Sequence, residues 1–453
     1  MAKEKSQYVC QSCGHVTTRW FGRCPECGAW NTLIEEVLPT SKSGPKEKKA
    51  FPSRPIPITE IPSVQEIRMP TTISELDRVL GGGLVPGAVF LVGGLPGMGK
   101  STLLLQTGAR LAENGKRVFY ISGEESLIQI KMRAERLGAR AHTLFLLSET
   151  DVDVVAETLR TEKPDLAIVD SVQTVFSEVL EGLPGNVSQV RYVGQILTKV
   201  AKETGIPLFL VGQVTKDGTI AGPRVLEHLV DGLLFLEGDE QHLYRVLRGV
   251  KNRFGSTNEV GLFEMTDQGM KEISNPSEFL LSSHQEGAPG TAITVTMEGT
   301  RPLLVEVQGL VAPTGYGIPQ RACTGIDPRR VSMLLAVLER RLGLRFGTQD
   351  VFVNAAGGLH LFEPSADLAI ASAVVSSFKD KPISSRTVLI GEIGLTGEVR
   401  GVAHLEQRIQ EALRLRFDRI VVPRSGIKTV KFSEKTMLTG VDTVREAMEV
   451  LFG

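Results

Sequence analysis

The chain has 453 residues, of which 42% are hydrophobic and 23% charged, and its formal net charge is −1. This length exceeds what one hydrophobic core supports, so we expect about two or three domains. The balanced charge excludes a global attraction to nucleic acid, so any such binding must come from local basic surface. No apolar stretch reaches the roughly 18 residues that span a bilayer, and no signal-peptide core follows the N-terminus, which predicts a cytoplasmic protein without membrane contact.

The N-terminal segment, residues 1–36, contains four of the five cysteines. They form two Cys-x-x-Cys pairs, each followed by glycine, at Cys10, Cys13, Cys24 and Cys27. Four thiolates at this spacing can converge on Zn²⁺, which stabilises a segment too short to bury a core. We therefore predict a closed structural zinc site. Redox-active pairs or disulfides are the alternatives, and a reducing compartment disfavours both.

Aromatic residues and arginines occur together beside these cysteines, at Trp20, Phe21 and Trp30 and at Arg19 and Arg23. Such side chains can stack on bases and contact phosphates. In so small a domain aromatic side chains more often form the core. The core interpretation is the preferred one.

Residues 37–70 predict a linker. Five prolines and five basic residues against one acid occupy residues 37–58. This composition cannot pack into a core, and it favours a flexible basic tether. Weak attraction to phosphates is the alternative role.

Residues 71–273 alternate short apolar runs with helical patterns. A helix is predicted over 72–80, and the glycine triplet 81–83 ends it. The predicted strands are 88–92, 117–121, 143–147, 166–170, 208–212 and 232–236, followed by an antiparallel pair at 244–247 and 261–265. This alternation predicts an α/β fold with a mostly parallel, doubly wound sheet.

A complete phosphate-loop motif, G-x-x-x-x-G-K-[ST], follows the first of these strands. It consists of Gly94, Leu95, Pro96, Gly97, Met98, Gly99, Lys100 and Ser101, and Thr102 follows it in the next predicted helix. At a strand-to-helix turn these glycines let backbone N–H groups surround a polyphosphate at the positive end of the helix. Lys100 would reach the β- and γ-phosphates, and the Ser101 hydroxyl would bind Mg²⁺. The alternative is a glycine-rich turn that binds nothing.

Three further side chains follow predicted strands and complete a hydrolytic site. Asp170 would lie beside the Mg²⁺, and Gln213 would sense the γ-phosphate. Glu124, rather than Glu125, would deprotonate the attacking water if its strand neighbours the phosphate-loop strand. The alternatives are a strand-ending cap for Asp170 and favourable helix-start charges for the two glutamates. Residues 215–218 lack the spacing of a guanine-reading tetrad, so ATP is the predicted nucleotide.

These motifs carry a resemblance to known families. Together with residues 75–77 and 81–87, the phosphate loop, Glu124, Glu125 and Asp170 resemble the RecA-like ATPase core of recombinases and ring helicases. With the cysteine-rich head and the C-terminal region, the whole chain resembles the bacterial RadA (Sms) family of DNA repair and recombination proteins. The most specific match is that family's pentapeptide, Lys251, Asn252, Arg253, Phe254 and Gly255.

The resemblance implies a DNA-dependent ATPase that forms a hexameric ring with ATP between subunits. Such a ring would move on single-stranded DNA and extend branched recombination intermediates with a RecA-type recombinase. Lys251 and Arg253 would reach the γ-phosphate of a neighbouring subunit, as an arginine finger does. Read without the resemblance, they form an exposed basic turn.

The same resemblance implies that loops 178–191 and 214–224 line the ring's channel and bind DNA. Arg191, Lys216 and Arg224 are the side chains that would meet phosphates there. Ordinary surface loops are the alternative.

The C-terminal domain begins over residues 274–349, and residues 350–453 resemble the proteolytic domain of Lon proteases, a ribosomal S5 domain 2-like α+β fold. The likeness rests on residues 362–367, which include Ser365, and on 391–397. Lon peptidases pair the serine with a lysine, and that position falls on Glu406, which cannot replace an amine. We therefore expect a ring-forming, DNA-contacting platform rather than a protease.

Two other functions remain open. The chain could be an ATP-switched scaffold that binds a recombinase through its zinc head without translocating. An ATP-dependent peptidase is the other, and it requires a catalytic partner for Ser365.

Overall fold

The computed structural model describes residues 6–10, 15–37, 57, 68–213, 223–238, 244–281, 287–315, 317–427 and 437–453. The chain divides into two compact units, Met1–Glu272 and Ile273–Gly453. The predicted linker, residues 37–70, lies almost entirely outside the described residues.

The N-terminal part of the first unit is a small antiparallel sheet with strand order β2-β1-β3. Its strands are β1 Ser6–Cys10, β2 Val16–Thr17 and β3 Leu33–Val37. Its hydrophobic cluster contains Cys10, Cys24 and Leu33, with Tyr8 packed against it. We call the described residues of this N-terminal part, 6–10 and 15–37, the ribbon. Because its hydrophobic cluster is so small, the ribbon needs a further source of stability such as a metal.

A nine-stranded sheet forms the body of the first unit, in the order β12-β11-β10-β9-β4-β8-β7-β5-β6. Strands β4 to β9 run parallel, and β10, β11 and β12 continue the sheet antiparallel. The strands are β4 Val89–Gly93, β5 Val118–Ser122, β6 Leu144–Ser148, β7 Leu166–Asp170, β8 Leu208–Val211, β9 Gly232–Glu237, β10 Tyr244–Asn252, β11 Val260–Thr266 and β12 Gly269–Glu272.

Helices cover both faces of this sheet. They are α1 Ser74–Leu80, α2 Lys100–Glu113, α3 Leu127–Arg136, α4 Val152–Glu162, α5 Val187–Thr204 and α6 Pro223–Glu227. Residues of α1, α2 and α3 share a core with Phe90 and Val92, whereas α4, α5 and α6 share the other core with Val89 and Leu91. Every residue of β4 is buried, as expected for a parallel strand between two helical layers. The predicted doubly wound α/β fold is confirmed.

The antiparallel part of the sheet is longer than the sequence predicts. Strand β10 runs on to Asn252, whereas the sequence predicts an antiparallel strand over 244–247 paired with 261–265. The pairing register with β9 shifts between Gly249 and Lys251, which is a β-bulge. A bulge breaks the two-residue periodicity on which strand prediction depends, so the end of β10 was not predicted.

The second unit contains a mixed seven-stranded sheet in the order β15-β16-β14-β13-β17-β20-β21 and a separate two-stranded sheet, β18-β19. The strands are β13 Thr291–Glu298, β14 Arg301–Pro313, β15 Arg321–Thr324, β16 Gln349–Ala355, β17 Thr387–Leu389, β18 Glu392–Ile393, β19 Val399–Arg400, β20 Arg419–Pro423 and β21 Met437–Val441. The helices are α7 Pro276–Leu281, α8 Pro328–Leu342, α9 Asp367–Lys379, α10 Leu405–Arg414, α11 Arg424–Ile427 and α12 Val444–Phe452. None of the helices in the described part of the chain is long and apolar enough to cross a membrane.

Candidate functional site

The phosphate-loop motif connects β4 to α2. Lys100 is the first residue of α2, and its Nζ atom donates hydrogen bonds to the carbonyl oxygens of Gly94 and Leu95, both at 2.9 Å. The loop therefore surrounds the N-terminus of a 14-residue helix, where free N–H groups and the helix dipole favour an anion.

Two glycines show why the loop can accept phosphates. Gly99 has φ 98°, and a Cβ there would lie 2.5 Å from Cε of Met265, so only glycine fits. At Gly97, by contrast, none of the described atoms lies within 4 Å of the Cβ position. The crest of the loop is thus open while its base is tightly packed, which fits a cradle for a polyphosphate.

A cavity of about 350 Å³ opens above this loop. Its lining comes from six parts of the sheet and its helices: Pro96, Gly97, Gly99, Lys100, Ser101, Thr102, Glu124, Arg133, Arg136, Asp170, Val211, Gln213 and Met265. The predicted residues Lys100, Ser101, Glu124, Asp170 and Gln213 are therefore brought together. Sequence reasoning missed Arg133 and Arg136, because arginines on an amphipathic helix ordinarily indicate a solvated face.

Asp170 ends β7 and is buried in this cavity. The hydroxyl of Tyr120, on the neighbouring strand β5, donates a hydrogen bond to Oδ2 of Asp170. Burial raises the pKa of Tyr120 well above its ordinary value, and the Asp170 carboxylate raises it further, so the phenol stays a donor. Asp170 and Ser101 supply the hard oxygen atoms that a Mg²⁺ ion prefers. The Tyr120 contact had no signal in the sequence, since an aromatic residue in a strand usually packs in the core.

Glu124 reaches the cavity by a route that differs from the expected one. Two strands, β8 and β7, lie between β4 and the strand β5 that precedes Glu124, so the condition that these strands are neighbours is not met. The hydroxyl of Ser171 and the amide of Gln213 instead donate to Oε1 of Glu124, at 2.6 and 3.2 Å. Because Ser171 and Gln213 follow β7 and β8, the carboxyl ends of those strands carry the contact across the gap.

Glu125 points to a different partner. Its carboxylate forms an ion pair with the guanidinium of Arg133 on α3. Glu124 therefore faces the nucleotide cavity while Glu125 is engaged beside it, which favours Glu124 for contact with an attacking water.

The charge of Lys100 depends on its surroundings. Burial lowers its pKa from the ordinary 10.5, and the carboxylates of Asp170 and Glu124 act in the opposite direction. A bound polyphosphate would add negative charge at the same amine. The cavity is thus built to gain electrostatic stabilisation when an anion enters.

Three residues of the pentapeptide fix its backbone. Asn252 accepts a hydrogen bond from the N–H of Phe254 at 2.8 Å and donates to the carbonyl of Val79 at 3.0 Å. The ring of Phe254 packs near that of Phe90, with centroids 6.1 Å apart. A Cβ on Gly255 would lie 2.9 Å from the Cα of Gly81. These contacts hold the turn against the end of α1.

The two cations of the pentapeptide, Lys251 and Arg253, contact other residues of the same chain. The amine of Lys251 donates to the carbonyl of Glu227, and the guanidinium of Arg253 lies 3.4 Å from Oδ1 of Asp231. Asp231 is buried and also contacts Nζ of Lys202 at 2.6 Å and the N–H of Val89 at 3.0 Å. Asp231 is an acid between two apolar segments, and sequence reasoning missed it.

Register places these cations away from the phosphate loop of their own chain. Asn252 pairs with Gly232, which in turn lies level with Phe90 on β4. The loop begins four residues further along, at Gly94, which corresponds to about 13 Å at roughly 3.3 Å per residue. Arg253 lies beyond Asn252 in the opposite direction.

The loop that follows β7 is held in place by the hydrogen bonds of a buried side chain. Gln189 is buried, and its amide donates to the carbonyls of Ser177 and Leu180 at 3.0 and 2.8 Å. Arg191 belongs to α5 rather than to the loop, because Asn186 caps that helix. Lys216 lies outside the described residues, and of Arg224 only the backbone, in α6, is described.

The ribbon brings three of the four predicted zinc ligands together. The sulfur atoms of Cys10, Cys24 and Cys27 all lie within 4.8 Å of one another, and those of Cys10 and Cys27 are 3.7 Å apart. Sulfurs bound to a tetrahedral zinc at about 2.3 Å would be about 3.8 Å apart, so the cluster fits this ion. Cys13 lies outside the described residues.

The aromatic side chains of the ribbon do not form its core, so the preferred interpretation of them is wrong. Trp20, Phe21 and Trp30 are exposed, Trp30 by 70%. The guanidinium of Arg23 lies 5.9 Å from the ring centroid of Trp30. Cys10, Cys24 and Leu33 occupy the interior instead.

Ser365 in the second unit faces an arginine. Arg408 is buried and donates to Oγ of Ser365 at 3.1 Å and to the carboxylate of Glu363 at 2.6 Å. The basic side chain that contacts Ser365 is thus Arg408, whereas Glu406 is exposed. A guanidinium stays protonated and cannot remove the proton of a hydroxyl. This geometry opposes peptidase chemistry.

These features define a P-loop ATPase with a RecA-like core, a zinc ribbon and a Lon-like C-terminal domain. Family models agree: residues 8–35 match a rubredoxin metal binding domain, residues 55–219 an AAA domain, and residues 308–426 the subunit ChlI of Mg-chelatase.

Full-length relatives make the assignment narrower. A protein of Listeria monocytogenes named DNA repair protein RadA is 50% identical over 99% of this chain and 98% of its own length. Proteins of the same name from Bacillus subtilis and Halalkalibacterium halodurans are 48% and 47% identical, each over 100% of both chains. The chain belongs to the RadA family of DNA repair proteins.

Proposed function

We propose that this chain is a DNA-dependent ATPase of recombination and repair that works in the cytoplasm as a ring of identical copies, with a hexamer as the expected form. The ring hydrolyses ATP between neighbouring copies and moves on single-stranded DNA. It thereby extends branched recombination intermediates together with a RecA-type recombinase. The names of the relatives support the link to DNA repair.

The position of Lys251 and Arg253 is the observation that carries this proposal. Both cations lie beside the ends of the central strands that are opposite to the phosphate loop of their own chain. Cations near the γ-phosphate stabilise the charge that develops in phosphoryl transfer. A second copy placed head to tail can supply them, and repetition of such an interface closes a ring when its rotation closes.

Each part of the proposed mechanism belongs to described residues. Lys100 and the loop N–H groups hold the phosphates, and Glu124 accepts a proton from the attacking water. Ser101 and Asp170 would hold Mg²⁺, which would supply positive charge beside the phosphate oxygens. Gln213 touches Glu124 and precedes the segment 214–224, so a change at the γ-phosphate can pass to that segment.

The proposal assigns a role to each domain. Residues 1–36 form the Zn²⁺-binding ribbon, 37–70 the tether, and 71–273 the ATPase. Residues 274–453 serve as a platform for assembly and DNA contact. The DNA-contacting side chains within the ATPase are Arg191, Lys216 and Arg224.

A labelled three-strand junction tests this function. We expect ATP turnover to rise with single-stranded DNA and branch movement to require hydrolysis, so that Lys100→Ala binds the junction without moving it. ATP-dependent binding without movement by the unaltered chain would instead establish the scaffold function.

A further inference from the structure

Helix α3 has side chains with three different surroundings. Ile130 and Ala134 are buried in the core, and Arg133 and Arg136 line the nucleotide cavity. Ile128 and Met132, in contrast, are exposed by 72% and 65%. Neither the hydrolytic site nor the core explains two large apolar side chains on this outer face.

The spacing connects this apolar pair to the cavity. Residues four apart are neighbours on one face of a helix, so Ile128, Met132 and Arg136 form a continuous line. Arg136 is a lining residue of the cavity, and the line therefore ends at the cavity rim. We name Ile128 and Met132 the α3 strip. Adjacent exposed apolar side chains at the rim of a polar site are typical of an interaction surface.

We propose that the α3 strip is the docking surface for a second copy of this chain, the copy that supplies Lys251 and Arg253. The proposal rests on the proposed function, because it names the surface through which the neighbouring copy completes the site. A copy that places two cations over the cavity must cover its rim, and the α3 strip adjoins that rim through Arg136.

The surface beside the two cations is suited to meet an apolar strip. Val250 directly precedes Lys251 and lies within the β-bulge of β10, where it is 53% exposed. The docking face of the second copy thus offers an apolar side chain next to its cations. Because the α3 strip and the Val250 face are different surfaces of one chain, their contact is heterologous and repeats from copy to copy.

The α3 strip also provides a reason for nucleotide-dependent assembly. Arg133 and Arg136 face the cavity from the same helix that presents Ile128 and Met132. A bound nucleotide contacting these arginines fixes the helix, and the apolar strip is then held in position for the neighbouring copy. We expect assembly to be tighter with an ATP analogue than without nucleotide.

The test uses the full-length double variant Ile128→Glu/Met132→Glu. Both positions are exposed, so the single copy keeps its fold, while two carboxylates at an apolar contact oppose docking. Sedimentation with a non-hydrolysable ATP analogue should show loss of assembly. ATP turnover should fall at least about tenfold, and a fluorescent nucleotide should still bind the single copy.

The matched control is Val154→Glu on α4, another exposed apolar position of the same unit, at 45%. It should assemble and turn over ATP as the unaltered chain does. The neutral pair Ile128→Gln/Met132→Gln serves if circular dichroism shows that the charged variant is unfolded, and it should weaken assembly in the same direction.

Two outcomes separate this proposal from the one on which it rests. Normal assembly and normal turnover of the folded double variant would overturn the docking surface and leave the proposed ATPase intact. An unaltered chain that stays a single copy with every nucleotide would remove the proposed ring, and the docking surface with it.

Discussion

Single side chains decide the electrostatics of the nucleotide cavity. Lys100 is buried, which lowers its pKa, and Asp170 and Glu124 only partly oppose this effect. Tyr120 holds Asp170 from the adjacent strand, and Ser171 holds Glu124 across the sheet. The acids and the lysine are therefore positioned before any nucleotide binds, which reduces the reorganisation that catalysis requires.

The lowered pKa of Lys100 predicts a pH dependence of nucleotide binding. Phosphates bind the charged amine, and in the free protein this amine loses its proton at a lower pH than the ordinary 10.5. The affinity for the ATP analogue should therefore begin to fall below pH 10.5, as the pH rises through the lowered pKa. Fluorescence titrations at increasing pH measure it, with Lys100→Ala as the control that lacks this dependence.

The stability of the folded chain depends on pH in the opposite sense to the nucleotide affinity. The charged lysine is less favourable in the folded chain, so it costs stability at low pH, and this cost disappears as the pH rises from the lowered pKa towards 10.5. An affinity that stays constant up to pH 10.5 in folded protein would contradict the assignment of Lys100 to the phosphates.

At the scale of elements, the pentapeptide and the ribbon each contain residues that hold the backbone and residues that lie at the surface. In the pentapeptide, Asn252, Phe254 and Gly255 fix the turn, while Lys251 and Arg253 contact Glu227 and Asp231 at its surface. In the ribbon, cysteines and Leu33 fill the interior while Trp20, Phe21 and Trp30 remain outside. In each segment some residues fix the backbone and others lie at the surface.

Gly255→Ala tests the support in the pentapeptide. Its added methyl group would lie 2.9 Å from the Cα of Gly81, and backbone cannot yield as a flexible side chain does. The turn must shift, at a cost of about 1–3 kcal/mol of stability, and Arg253 shifts with it. ATP turnover should fall about tenfold or more while nucleotide affinity is retained. Unchanged turnover and melting temperature would show that the close approach has no role.

The ribbon gives a second prediction at this scale. Cys27→Ser should release zinc and remove amide protection from the ribbon, because metal binding supplies its folding free energy. Trp30→Ala should keep the zinc and change stability by less than about 0.5 kcal/mol, since the indole is exposed. Metal analysis and hydrogen exchange measure both. Loss of zinc in Trp30→Ala would restore the core interpretation of the aromatic residues.

The elements also show how far sequence reasoning extends. Apolar runs predicted the parallel strands because the central ones, β4, β5, β7 and β8, are buried on both faces. The phosphate loop was predictable because its glycines and Lys100 lie within one short stretch of sequence. The contacts of Glu124 with Ser171 and Gln213 were not predictable, since they depend on strand order, and strand order is a long-range property. Asp231 was missed, and the contact of Arg408 with Ser365 was not predicted, for the same reason: the partners Arg253 and Ser365 are distant in sequence.

For the whole molecule, the central proposal is that two neighbouring chains complete each nucleotide site. The first unit carries the phosphate loop at one end of the β4 strand and the pentapeptide cations beside the opposite end. In the proposed ring a head-to-tail neighbour would bring these two ends together and would dock on the α3 strip. Hydrolysis would then be a property of the assembly, which would allow coupling to a DNA strand that several copies contact.

Mixing two inactive variants tests this claim most directly. Lys100→Ala lacks the phosphate contact, and Arg253→Ala lacks the cation for its neighbour, so each alone should hydrolyse ATP at least about a hundredfold more slowly than the unaltered chain. In a mixed ring some interfaces join an intact phosphate loop to an intact Arg253. The account predicts that mixing restores DNA-stimulated ATP turnover. A mixture that exchanges subunits and remains as inactive as its components would contradict it.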